Sequence, residues 1–125
     1  MTPGIDAITT QALGLALDGA ALRHQAIAAN IANHDTPGYV ARSVDFEAEL
    51  AAALRDAGGR PDAAALAAVK PQMRPRAAGP GTSGSVRLDA EVAAMAQNAV
   101  QFQVLAKALN RHLSILSMAA GDGKK

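Results

Sequence analysis

Asp45, Glu47 and Glu49 stand within one five-residue stretch, DFEAE, a carboxylate cluster of the kind that serves general acid–base catalysis. Such chemistry also needs a partner base and residues that enclose a pocket. Neither accompanies the cluster, so it reads as a solvated face flanking a helical turn. The histidines His24, His34 and His112 are far apart in the chain, whereas a metal site needs three or four converging ligands with their own supporting hydrogen bonds. The chain has no cysteine, which removes thiol catalysis, disulfides and cysteine zinc sites. No glycine-rich phosphate loop follows a strand, because no segment reads as a convincing strand. The expectation is a chain with no catalytic residue, no metal and no cofactor.

A second polar set is harder to dismiss. In IAANIANHDTPGY, residues 27–39, Asn30 lies inside an apolar helical stretch, where asparagine costs roughly 0.7 kcal/mol relative to alanine. Two readings stay open at this point. One is a solvated position; the other is an amide that fixes register against a neighbouring helix, with Asn98 and Gln103 as its counterparts. The residues that follow specify a sharp turn. Pro37 disfavours helical geometry at Thr36, and Pro37-Gly38 suits the central pair of a type II turn. Asn33 suits the left-handed position that closes a helix, and Asp35 can accept from nearby backbone N–H groups.

These residues must be carried by helices. Half of the 125 residues are apolar, but only 2% are aromatic and alanine supplies much of the remainder. Such a composition forms helices readily and fills a deep core poorly. The spacing predicts one helix over about 4–33, with a heptad seam through Leu13, Leu17, Ala20, His24, Ile27 and Ile31. A second is predicted over about 88–118, with Val92, Met95, Ala99, Phe102, Ala106, Leu109, Leu113 and Leu116 as its seam and Gly121 and Gly123 ending it. Both would be about 45 Å long. The fold class expected is therefore all-α, two long terminal helices paired as an antiparallel coiled-coil-like hairpin.

Three parts follow from this division. Residues 1–34 and 86–120 make the helical unit, 35–85 the turn and an extended loop, and 121–125 a flexible tail. The loop scatters Pro61, Pro71, Pro75 and Pro80 among glycines and alanines; a short helix fits around residues 63–69, but no core-forming period runs through the segment. A two-helix core of this size supplies no more than about 3–5 kcal/mol. Leu15, Leu22, Val100, Leu105 and Ile115 lie off the seams and would stay wet in a lone hairpin, which marks the chain as a piece of something larger.

The formal net charge of +1 points to neither nucleic acid nor an acidic partner. No run of apolar residues approaches a transmembrane length. No basic residue precedes ALGLAL (12–17), so a cleaved signal is not expected. On composition and seams alone, a soluble dimeric helical adaptor or export chaperone is the rival reading.

The turn carries a resemblance. Asn30, Ile31, Asn33, Asp35, Thr36, Pro37, Gly38 and Tyr39, continued by Ala41, Arg42, Asp45 and Phe46, resemble the N-terminal signature of the flagellar axial rod and hook family. Val86, Leu88, Asp89, Glu91, Asn98 and Gln103 are similar to the second helix of its proximal-rod members. Val40 and Ser85 depart from that pattern, and the middle of the chain carries almost none of it.

The resemblance implies a structural subunit of the flagellar drive shaft, exported through the flagellar type III gate without signal cleavage and assembled in the periplasm. It also implies terminal helices that line an inner tube with copies of the chain, the rod proteins FlgC and FlgF, and the basal adaptor FliE. Another axial rod protein of the FlgC or FlgF kind is the alternative within the family. Phe46 and Leu50 would then be contacts for the export gate; on spacing alone they are one turn of an amphipathic helix.

Overall fold

The computed structural model describes residues 4–55, 62–77 and 85–123. Its elements in chain order are α1 (Ile5–Ala32), β1 (Arg42–Val44), α2 (Glu47–Leu54), α3 (Ala63–Ala68), β2 (Met73–Pro75) and α4 (Leu88–Asp122). α1 and α4 pack antiparallel, as three cross-links in opposite chain order show. Asn30 meets Glu91, the Ala20 carbonyl accepts from Asn98, and the Asp6 carbonyl lies 3.1 Å from His112 Nε2. α4 runs through Gly121 and is capped at Gly123, so one glycine in a well-supported helix does not end it. Of the tail expected over 121–125, Gly121 and Asp122 belong to α4, and Lys124 and Lys125 lie outside the described residues. Pro61 and Pro80 of the expected loop lie outside them as well.

The middle of the chain departs from the irregular loop expected of it. β1 and β2 pair antiparallel in the register Arg42↔Pro75, Ser43↔Arg74 and Val44↔Met73. Together with α2 and α3 they cover the flank of α1 that α4 leaves open. One cluster joins Ile8 to Ala53, Leu66 and Val69, with Leu15, Leu50 and Leu54 packed against it. A second joins Ala26 to Val44 and Phe46, with Leu22 and Met73 beside them. Leu15 and Leu22 are therefore covered by the chain's own middle. Each large side chain fully buried there, Val44, Phe46 and Leu66 among them, contributes about 1.5–3 kcal/mol, which a bare two-helix hairpin would lack. The residues that achieve this sit in elements of three to eight residues, too short for any period to register.

The α4 seam also needs correction. Val92 is 54% and Leu113 45% exposed, and Ala99 is exposed as well. Glu91, Asn98 and His112 face α1 in their place, and Leu105 and Leu109 are half-buried. The expected seam shares Met95, Phe102, Leu109 and Leu116 with the set 91, 95, 98, 102, 105, 109, 112, 116. Alternate positions move back by one residue. Three of the displaced positions, Glu91, Asn98 and His112, are polar, so an apolar period does not pass through them.

On α1, Ile27 and Ala20 are buried, Leu13, Leu17 and Ile31 are half-buried, and His24 is exposed. On α4, Met95, Ala106 and Leu116 are half-buried while Phe102 lies at the edge, 40% exposed.

Candidate functional site

Asn30 is fully buried at the last turn of α1 and uses every hydrogen-bonding position of its amide. Its Nδ2 donates to the Arg42 carbonyl at 2.9 Å and to Glu91 Oε2 at 3.1 Å. Its Oδ1 accepts from the Arg42 N–H at 2.8 Å and from the Tyr39 hydroxyl at 2.9 Å. An amide offers two donors and two acceptor sites, so none is left over. The side chain acts as a surrogate strand for β1, exchanging a pair of bonds with one residue's backbone. Alanine here would leave the buried Glu91 oxygen and the partly buried Arg42 and Tyr39 groups without this partner, at up to about 1–3 kcal/mol each. Asn30 reaches α4 through Glu91, and neither Asn98 nor Gln103 is its counterpart.

The turn that returns the chain to Asn30 is built from its own residues. The Asn33 backbone lies at φ −110°, ψ 15°, not in the left-handed region expected of it. Its side chain does the closing instead: Nδ2 donates to the Ala29 carbonyl at 2.9 Å while Oδ1 accepts from the Thr36 hydroxyl at 3.2 Å. Gly38 takes the positive φ, 77°, as the third residue of a type II turn must. The Tyr39 N–H closes that turn on the Thr36 carbonyl at 3.2 Å. Asp35 pairs with His34 Nε2 at 3.1 Å, out in solvent. A shallow hollow of about 360 Å³ opens beside the turn, lined in part by Asn33, Thr36, Gly38, Tyr39 and Val86.

Phe46 and Leu50 join the inner cluster, and Phe46 is only 2% exposed. The ring rests on Gly19, where an added Cβ would stand 2.1 Å from Phe46 Cε1. The Arg23 guanidinium lies over the ring, 5.5 Å from its centroid. Arg23 also donates to the Val44 carbonyl at 2.6 Å and pairs with Glu47. Partial burial works to raise the Glu47 pKa, but the hydrogen bond from Arg23, backbone N–H bonds including that of Phe46, and the Arg23 charge outweigh it. The carboxyl is held below the ordinary range. The carboxylate cluster is thus not a matched acid–base pair: Glu47 is engaged by an arginine, while Asp45 and Glu49 are exposed.

Asn98 is buried against the Ala20 carbonyl, to which its Nδ2 donates at 2.8 Å. Gln103 is exposed and lines a groove of about 440 Å³ between α1 and α4 with His24, Phe102 and Ala99. Among the described residues, no three His, Cys, Asp or Glu side chains converge as a metal site would require. No helix among them is long and apolar enough to cross a membrane.

Of the two other central residues, Glu91 is marked in the sequence by the family resemblance but not by its partners, and Arg76 is not marked at all. Glu91 is 2% exposed and accepts from Arg76 Nη1 at 2.6 Å. The available signal was that Glu91, Asn98, Leu105 and His112 recur every seven residues, a seam once polar residues are admitted. Nothing in the sequence marks Arg76 as its partner.

Polar groups spent on holding backbone, in a fold dominated by two long paired helices, define a structural helical protein. Comparison with characterised proteins agrees and narrows the class. A flagellar basal body rod protein, FlgB, of Escherichia coli (strain K12) is 34% identical over 110 residues, covering 76% of this chain and 80% of the relative. FlgB of Shigella flexneri matches to the same extent. FlgB of Salmonella typhimurium is 60% identical over 35 residues, 28% of this chain and 25% of its own. No protein-family model matches the chain. The chain belongs to the FlgB family of flagellar basal body rod proteins. Its role is that of a structural rod protein, not an enzyme.

Proposed function

We propose that the chain is a subunit of the proximal rod, polymerising into the shaft that transmits torque across the periplasm. The observation that carries this reading is the outer face of α4. Val100, Val104 and Met118 are 61–62% exposed there, on the side of the helix away from Asn98 and Glu91, and Ile115, 50% exposed, lies at its edge. Apolar residues in that arrangement need a cover. Neighbouring subunits supply it: further copies of the chain, FlgC, FlgF and, at the base, FliE. Repeated contacts that do not close on themselves generate a helical tube, and association and folding then reinforce one another. Residues 5–32 and 88–122 form the inner-tube unit, and the segment between them meets adjacent subunits.

Export through the flagellar type III gate, without signal cleavage, precedes assembly. Phe46 and Leu50 serve as gate contacts in the unfolded chain, since Phe46 is inaccessible once folded. Asn30, acting through Glu91, and Asn98 hold the register of the helix pair, and Gln103 faces a neighbour.

Basal bodies purified from cells carrying this chain as their sole copy test the proposal. They are expected to contain it with its N-terminal helix uncleaved. Its absence from them, or a chain shortened at its N-terminus, would contradict the reading. In the same cells Asn30→Ala/Asn33→Ala is expected to be exported normally yet to yield few rods, and normal motility would count against the register role.

A further inference from the structure

Glu91 links parts of the chain that otherwise scarcely meet. It lies in the first turn of α4, and its two oxygens serve different segments. Oε2 accepts from Asn30, and Oε1 accepts from Arg76. Asn30 holds the start of β1 through both backbone groups of Arg42. Arg76 directly follows β2, and its own N–H donates to the Ala41 carbonyl at 2.7 Å. Arg42 and Pro75 are paired in the ribbon, so both contacts fall at one end of it. α4 packs extensively on α1, but no comparable packing joins it to β1 or β2 among the described residues. One carboxylate is therefore the principal tie between α4 and the ribbon.

That carboxylate is buried, so its pairing is consequential. A charge taken out of water must be paired, and removing its partner leaves a costly orphan. Conversely, with α4 undocked, one Asn30 donor and the Arg76 guanidinium lose their shared acceptor, and the two strands lose their common anchor.

We propose that Glu91 is a positioning residue that couples docking of α4 to closure of the β1–β2 ribbon, and through Asn30 to placement of the 33–39 turn. The surface around Tyr39 then has its folded form only while the first turn of α4 is docked. Events on α4, such as its engagement by a neighbour, are transmitted to the turn without contact there. Coupling of this kind is reciprocal. The inference goes beyond the rod assignment and does not rest on it, because it concerns the single chain in solution.

Two backbone amides report the two arms separately. The Arg42 N–H is held by Asn30 and the Arg76 N–H by Ala41. Hydrogen exchange would be followed at both in the full chain, at a concentration where circular dichroism shows the long helices formed.

Glu91→Ala is expected to speed exchange at both amides about tenfold or more, the loss of a hydrogen bond to a charged group, while amides at mid-α1 keep their protection. Glu91→Gln retains an acceptor for Asn30 but not the charge for Arg76, so the Arg76 amide should loosen and the Arg42 amide should not. In the reciprocal direction, Arg76→Ala should speed exchange at the Glu91 N–H, which bonds the Arg87 carbonyl at 3.0 Å. Unchanged ribbon amides in Glu91→Ala would overturn the proposal. So would equal loosening of α1 and the ribbon, or identical profiles for the Gln and Ala variants.

Discussion

Asn30 shows how a polar residue can be required in a helix that disfavours it. Its propensity cost is roughly 0.7 kcal/mol, whereas it satisfies four backbone and side-chain groups that are partly or fully buried. The sequence marks the residue as unusual but not its use, because the partners come from residues 39, 42 and 91 and only folding assembles them. Glu47 makes a testable case at the same scale. Its carboxyl sits below the ordinary value of 4.5 because the bonds from Arg23 and the backbone outweigh partial burial. A carboxyl depressed in the folded state stabilises the fold above its unfolded pKa, and that contribution is lost as pH falls through the folded value. Thermal midpoints of wild type and Glu47→Gln should therefore differ near neutral pH and converge in acid, at values below 4.5. A gap that stays constant through that range would contradict the assignment.

At the scale of elements, the two long helices were legible because their periods run for about eight turns and their ends carry proline and glycine punctuation. The pairing face of α4 was only half legible. Glu91, Asn98 and His112 occupy inward positions that an apolar count passes over, so the seam was read one residue out at every second position. The ribbon is not legible at all, its strands being three residues each; α3 is legible as a run of alanines, but the burial of Leu66 within it is not.

Glycines in α1 show the same contrast between local preference and packing. A methyl group added at Gly14 would meet nothing within 4 Å, whereas one added at Gly19 would fall inside the Phe46 ring. Gly14→Ala should stabilise the chain by up to about 1 kcal/mol through helix propensity. Gly19→Ala should destabilise it by about 1–3 kcal/mol despite the same propensity gain, since the ring must leave its site. Denaturant midpoints decide between them, and equal shifts for the two variants would remove the packing explanation.

For the whole molecule, the covered and uncovered faces divide the work. The flank of α1 is closed by the chain's own middle, through Phe46, Leu66 and Val69, which gives a core a bare hairpin would not have. The outer face of α4 has no such cover within the described residues. Stability thus resides largely in one half of the structure and the proposed association in the other, so the two should be separable by mutation. In the function proposed above, this outer face is where the rod subunit meets its neighbours. The most direct test is Val104→Glu/Ile115→Glu, made in cells whose own copy of the gene is deleted, with the purified variant followed in parallel. Both residues are half exposed or more, so stability should change by no more than about 0.5 kcal/mol per site. The expected result is an unchanged thermal midpoint together with loss of rods and of motility. Normal swimming by cells that carry only this variant would contradict it.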